Sequence, residues 1–179
     1  MVPRFFQRNR VLLTVGVAVL LIAGTLVMML TGGSEEAPEF SATSTGYIDG
    51  EESNRTLIKL SDYRGQVVIL DLMAEWCGPC KVVASGTLKP LYKEEYRDSD
   101  KVVIISVSIA NDSLDLLEDM QREYGYDWLH VTNNDLDVIT KYNAQQIPKV
   151  VVIDQQGQIT FSALGIVEQD KLQQEVESA

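Results

Sequence analysis

The chain's only two cysteines, Cys77 and Cys80, sit in one block, Trp76-Cys77-Gly78-Pro79-Cys80, just after an apolar stretch from Val67 to Met73 that is broken only by Asp71. No other feature constrains the fold as tightly. An apolar run of that length suits a strand buried on both faces of a sheet. Pro79 suits the first turn of a helix, where its missing N–H would be unpaired anyway. A buried strand must therefore turn into a helix at the cysteines. Cys77 then lies at the helix N-terminus, where free N–H groups and the helix dipole favour a thiolate. Cys80, three residues on, shares its face and can attack a mixed disulfide formed on Cys77. The spacing thus describes a redox pair in which Cys77 attacks and Cys80 resolves. A disulfide scaffold would need more cysteines closing longer loops. Structural zinc takes four ligands, and His130 is the single histidine available to join the pair, so neither metal nor cofactor is expected.

Elsewhere the pattern alternates between strand and helix. Val102 to Val107 is a second apolar run, and Ser113 to Tyr124 carries Leu114, Leu117 and Met120 at helical spacing, with Asp112 or Ser113 as cap. Trp128 to Val131 predicts a short strand and Asp135 to Tyr142 a helix. Val150 to Asp154 and Gln158 to Ala163 predict a hairpin across Gln-Gln-Gly, and Asp170 to Val176 a last amphipathic helix. Upstream, Phe40 to Tyr47 and Thr56 to Leu60 predict a hairpin, with Ser61 as cap of a helical turn before Gly65. Gly86 and Pro90 fall inside the helix that follows the cysteines. That helix should kink or break between Ser85 and Pro90, because an interior proline removes a hydrogen bond.

The first forty residues differ in character. Residues 1–10 are basic through Arg4, Arg8 and Arg10, and residues 11–30 form an uncharged apolar run. As a helix that run spans about 30 Å, enough to cross a bilayer. It is expected to be a retained anchor, since a cleaved signal peptide would have a shorter core and a small-residue cleavage site. The charge bias places the N-terminus in the cytoplasm and the rest outside the cell membrane. Residues 31–39 predict a linker and 40–179 the folded domain. Beyond residue 30 only 12 basic residues face 26 acidic ones. A field of that sign repels phosphate backbones and excludes nucleic acid as an expected partner.

Val68-Ile-Leu-Asp-Leu-Met-Ala-Glu-Trp-Cys-Gly-Pro-Cys-Lys81 resembles the active-site strand and helix of thioredoxins. The resemblance covers most of residues 40–179. It implies an α/β thioredoxin-like fold, a central mixed sheet flanked by helices. To this the chain adds an N-terminal hairpin, a central helix-strand insertion and the preceding transmembrane helix. That combination is similar to the membrane-tethered TlpA/ResA-type branch, whose members keep extracytoplasmic thiols reduced. The resemblance further implies that Asp71 moves the proton of Cys80. It also implies a cis peptide at Ile147-Pro148, and Trp76, Ile147 and Pro148 as the substrate-binding positions. Protein thiols and disulfides are then the substrates, and a membrane thiol-electron carrier the reductant.

Two departures stand out: Met73 replaces a common aromatic, and Ser106 stands where many thioredoxins have a lysine near the buried acid. A peroxiredoxin-like peroxidase is the competing enzyme, but the residues before Cys77 lack that family's P-x-x-x-T-x-x-C setting. A tethered peptide-docking or chaperone module is the non-enzymatic alternative. Asn54 and Asn111 head N-x-S/T triplets and read as turn or cap residues rather than glycan sites.

Overall fold

The computed structural model of the protein describes residues 35–132 and 137–179. Its strands are β1 (Glu35–Glu36), β2 (Ser41–Ser44), β3 (Tyr47–Ile48), β4 (Glu51–Glu52), β5 (Leu57–Lys59), β6 (Val67–Met73), β7 (Val102–Ser108), β8 (Leu129–Thr132), β9 (Lys149–Ile153) and β10 (Gln158–Leu164). Its helices are α1 (Gly78–Val83), which is prolonged to Tyr96, α2 (Leu114–Tyr124), α3 (Asp137–Lys141) and α4 (Gln169–Glu177). The expected anchor at 11–30 and the start of the predicted 135–142 helix lie outside the described residues. Among the described residues no helix is long and apolar enough to cross a membrane.

Eight strands form one mixed sheet in the order β1-β10-β9-β6-β7-β8-β2-β5, while β3 and β4 pair separately. Strands β6, β7 and β8 are parallel, and β9 runs antiparallel to β6 and to β10. Every residue of β6 is buried, as an apolar strand at the centre of a covered sheet requires. Alternation splits its side chains between two cores. Val67, Ile69 and Met73 pack with Val83, Leu88, Leu91, Leu172 and Val176 on the face that also holds both cysteines. Val68, Leu70 and Leu72 pack with Phe40, Val138 and Tyr142 on the other. Asp71, of the same parity as Ile69, therefore belongs to the cysteine face.

The predicted N-terminal hairpin forms as β2 paired with β5, with Ala42 opposite Ile58. It joins the sheet through β8, the strand of the insertion. Packing begins before the expected start near Phe40: Ala37 is buried, and Glu35 and Glu36 pair with β10. Ser61 does not cap the turn Leu60–Tyr63. Lys59 holds the cap position, its N–H donating to the Asp62 carboxylate at 2.8 Å.

The helix after the cysteines bends its ladder instead of breaking. A wide turn at Ala84–Leu88 lets the Lys89 N–H reach the Ala84 carbonyl five residues back, and a second wide turn follows at Tyr92–Tyr96. Widening of this kind relieves the clash between a proline ring and the carbonyl four residues earlier. The sequence signalled the disturbance at Gly86 and Pro90 but not the second wide turn.

Polar residues that sequence assigns to solvent hold the small β3–β4 hairpin. Asp49 and Gly50 supply its turn with φ of 58° and 82°, the left-handed pair that a two-residue hairpin needs. Glu118 on α2 is buried and accepts the Gly46 N–H at 2.7 Å and the Arg55 Nε at 2.8 Å. The Arg55 guanidinium holds its carboxyl below the usual range. A Cβ on residue 46 would lie 2.8 Å from the Ser53 carbonyl oxygen and 3.3 Å from Glu118 Oε1, so only glycine fits. Fully buried Gln121 sets Nε2 within hydrogen-bond distance of the Tyr47, Tyr126 and Trp128 carbonyls.

Glu118→Ala would leave the buried Gly46 N–H without its acceptor. The expected loss is about 1–2 kcal/mol in urea unfolding. A wild-type midpoint would show that the hairpin is not clipped to α2.

Candidate functional site

The cysteines stand where the sequence places them, at the end of β6 and the start of α1. Cys77 is the helix N-cap, with extended backbone (φ −78°, ψ 100°), and its Sγ accepts the Cys80 N–H at 3.2 Å. That contact is the local donor through which a helix N-terminus stabilises negative charge on sulfur. The two residues are joined in a disulfide, Cα atoms 5.2 Å apart, and are 3% and 2% exposed.

An open groove runs beside the disulfide. One wall is Trp76, Cys77, Gly78 and Pro79; the other is Gln145, Gln146 and Ile147, closed by Leu164 and Gly165. Cys77 borders this groove and Cys80 does not. Trp76 is 69% exposed and forms the lip. The Ile147-Pro148 peptide is cis. Pro148 lies buried behind the groove, where its carbonyl accepts the Gly165 N–H at 2.8 Å and ties the two segments of that wall together.

The loop into α1 is held by a residue that sequence reading offered only as a helix cap. Asp112 Oδ2 accepts the Glu75 N–H and the Ser108 hydroxyl, each at 2.8 Å. The cap of α2 is Ser113, whose Oγ accepts the Leu116 N–H. Asn111 beside it has a left-handed φ of 59°, a turn position. Lys81 and Glu75 pair at 2.8 Å across the Trp76–Cys80 segment, and Lys81 Nζ stands 5.3 Å from the Tyr124 ring centroid. Half-exposed pairs of this kind contribute little to stability.

Asp71 is 1% exposed in mid-strand and caps no turn. Its register neighbour on β7 is Ser106, whose own neighbour on β8 is His130, giving a polar row across three buried strands. Ser106 Oγ donates to Asp71 Oδ2 at 2.8 Å and accepts the Trp128 Nε1–H at 2.9 Å. Among the described residues Asp71 Oδ1 has no hydrogen-bond partner. Burial pushes the Asp71 carboxyl up to about 7, against the opposing pull of Ser106. His130, fully buried, is pushed down to about 4 by the same cause. Its Nδ1 lies 2.9 Å from the Trp128 carbonyl; a carbonyl only accepts, so the proton of the neutral ring is on Nδ1. Among the described residues no cluster of three or more His, Cys, Asp or Glu could hold a metal ion.

Residues 65–159 match the family model described as thioredoxin-like. The thiol-disulfide oxidoreductase ResA of Geobacillus kaustophilus is 27% identical over 144 residues, which cover 79% of this chain and 75% of that protein. ResA of Bacillus subtilis is 24% identical over 164 residues, 89% and 87% of the two chains. Among solved structures, a secreted thiol-disulfide isomerase from Corynebacterium glutamicum superposes with a TM-score of 0.65 at 24% identity, covering 78% of this chain and 82% of its own. That likeness bears on the fold.

Asp71 and His130 pull stability in opposite directions with pH. Between about pH 4 and 6.5 the folded oxidised protein keeps the Asp71 proton that the unfolded chain has lost, so this group's contribution falls as pH rises toward 7. Over the same window the unfolded chain protonates His130 while the folded protein does not, so that contribution is lost as pH falls. The two slopes oppose each other. Asp71→Asn should therefore leave a stability that rises with pH across this window by on the order of 1 kcal/mol per unit. His130→Gln should give the reverse slope. Urea unfolding at pH 4.5, 5.5 and 6.5 would read both, and parallel curves for all three proteins would contradict the burial of these charges.

Proposed function

The chain belongs to the thioredoxin-like family and is a thiol-disulfide oxidoreductase, and from that premise we propose that it reduces protein disulfides outside the cytoplasm while tethered to the membrane by residues 11–30. The observation that carries the reading is the open groove that Cys77, and not Cys80, borders.

In the reduced protein the Cys77 thiolate attacks one sulfur of a substrate disulfide, and the other substrate sulfur leaves and takes up a proton. The Cys80 thiol gives its proton to the Asp71 carboxylate, and the resulting thiolate attacks Cys77 Sγ. The substrate's second thiolate departs and is protonated. Two electrons have then moved from the dithiol to the substrate, and the protein holds the disulfide seen in the structure. Asp71, buried and poised near 7, has the proton affinity for this exchange at neutral pH. Gly78-Pro79 between the cysteines, the dipeptide of reducing thioredoxins, supports a reductant over an oxidant. Restoring the dithiol outside the cytoplasm calls for a membrane thiol-electron carrier. Trp76 and Ile147 line the groove, and Pro148 behind it ties the Ile147 wall to Gly165.

Cys80→Ser should trap substrates as mixed disulfides on Cys77, because the remaining hydroxyl cannot resolve them. Cys77→Ser should trap none. The two variants, purified from membranes under acid quench and compared on non-reducing gels, distinguish enzyme from docking module: equal trapping, or none together with silent insulin reduction, would favour the latter.

Topology has its own test. A reporter active only outside the cytoplasm, fused after Ala179, should work, and replacing Arg4, Arg8 and Arg10 with acidic residues should reduce its signal. Activity of a cytoplasm-only reporter at the same position would overturn the orientation.

A further inference from the structure

Asp71 has two oxygens in unlike surroundings. Oδ2 meets the Ser106 hydroxyl at 2.8 Å, whereas Oδ1 has no partner among the described residues. The polarity of the Ser106 bond is fixed from outside. Trp128 Nε1 can only donate, and it donates to Ser106 Oγ at 2.9 Å. With that lone pair taken, the single Ser106 hydrogen goes to Asp71. If Asp71 instead carried its proton on Oδ2, Ser106 would have to accept twice, and its own hydrogen would be stranded in a core where Ser106 is 1% exposed. Trp128 is itself immobile, 1% exposed and packed between the Tyr92 and Tyr126 rings, centroids 5.8 and 5.1 Å away. The chain Trp128–Ser106–Asp71 therefore has one direction.

We infer that Trp128 and Ser106 are positioning residues that reserve Asp71 Oδ2 as a permanent acceptor, so that the exchangeable proton enters and leaves Asp71 only through Oδ1. The inference rests on the proposed role of Asp71 as proton carrier and adds which of its oxygens works. It also gives Ser106 a purpose. A lysine at that place would pair with the carboxylate by charge and draw its midpoint lower. A hydroxyl donor favours the ionised form much less, leaving the group able to titrate near neutral pH.

The groups that face Asp71 are few. On β7 and β8 they are Ser106 and the neutral His130, and on the segment before β8 they are Trp128 and Tyr126. The start of α1 puts Cys77 and Cys80 on the same face of the sheet. The β9 neighbour in register is Val150, which does not titrate. Of these, Ser106 alone donates to the carboxylate.

The test follows the Asp71 carboxyl in the full-length oxidised protein labelled with 13Cγ aspartate, its resonance assigned by its absence in Asp71→Asn. Ser106→Ala should raise the titration midpoint by about one unit, since the ionised form loses its donor. Ser106→Thr, which keeps the hydroxyl, should restore it. Trp128→Phe should give a smaller rise in the same direction. The double variant Ser106→Ala/Trp128→Phe also removes the indole N–H that Ser106→Ala alone would leave without its acceptor, and so guards against misfolding. Its midpoint should match that of Ser106→Ala, because the Trp128 effect passes through Ser106. Disulfide reduction by the same variants should show its pH-dependent limb displaced by the same amount. An unmoved midpoint in a folded Ser106→Ala or double variant would overturn the inference. Additive shifts would do the same. Wild-type pH dependence of reduction in Asp71→Asn would instead remove the proton-carrier role while the shift of the carboxyl midpoint still stood.

Discussion

Burial of a single carboxyl in the middle of the most apolar strand is the constraint around which the rest is arranged. Isolated in a low-dielectric core, an ionised Asp71 would be costly, so the group holds its proton far above the ordinary carboxylate range. The surrounding elements set the limits of that tolerance. Strand β7 brings one neutral hydroxyl opposite it in register, Trp128 just before β8 brings an indole that orients the hydroxyl, and β9 brings only valine. Because β6 also ends at the N-terminus of α1, the strand that buries the acid delivers the cysteines to the same face. Buried acid and cysteine pair are thus placed by one element.

That arrangement separates two tasks that both involve sulfur. Cys77 takes its environment from the helix start, where the Cys80 N–H points at its Sγ, and it borders the groove. Cys80 lies behind it in the core, away from the groove and on the side of the sheet that holds the carboxyl. On the proposed function the first sulfur would meet the partner and the second would exchange its proton with Asp71. Asp112 keeps this division in register by anchoring the Glu75 N–H, so that the strand-to-helix turn is tied to the turn after β7 rather than left to its own short span.

Much of this was legible because it rests on local pattern. The apolar runs gave β6, β7 and β9 nearly to the residue. Gln-Gln-Gly marked the β9–β10 turn, and the Gly-Pro pair marked the start of α1. What stayed hidden depends on contacts between residues far apart in sequence. Glu118 and Gln121 fall outside the apolar spacing of Leu114, Leu117 and Met120, yet a hairpin some seventy residues earlier covers them and takes their hydrogen bonds. Asp112 resembles any N-cap until the Glu75 N–H is seen to need an acceptor 37 residues away. Ser106 was visible only as a missing lysine. Its role emerges when the parallel register sets it opposite Asp71 and the indole of Trp128 beside it. Gly86 and Pro90 announced a disturbed helix, but how a helix absorbs a proline is decided by the packing around it.

The two ends of the large sheet carry a consequence of their own. Among the described residues one margin is Glu35 and Glu36 of β1; the other is β5, three residues finishing at Lys59. Strand β5 is too short, and ends on a charge, to template a further strand from a stray chain. On the proposed function the clients would be polypeptides with unsettled disulfides, whose extended segments seek bare backbone. A short margin that ends on a charge denies them a place to accumulate there, so encounters are less prone to end in intermolecular aggregation.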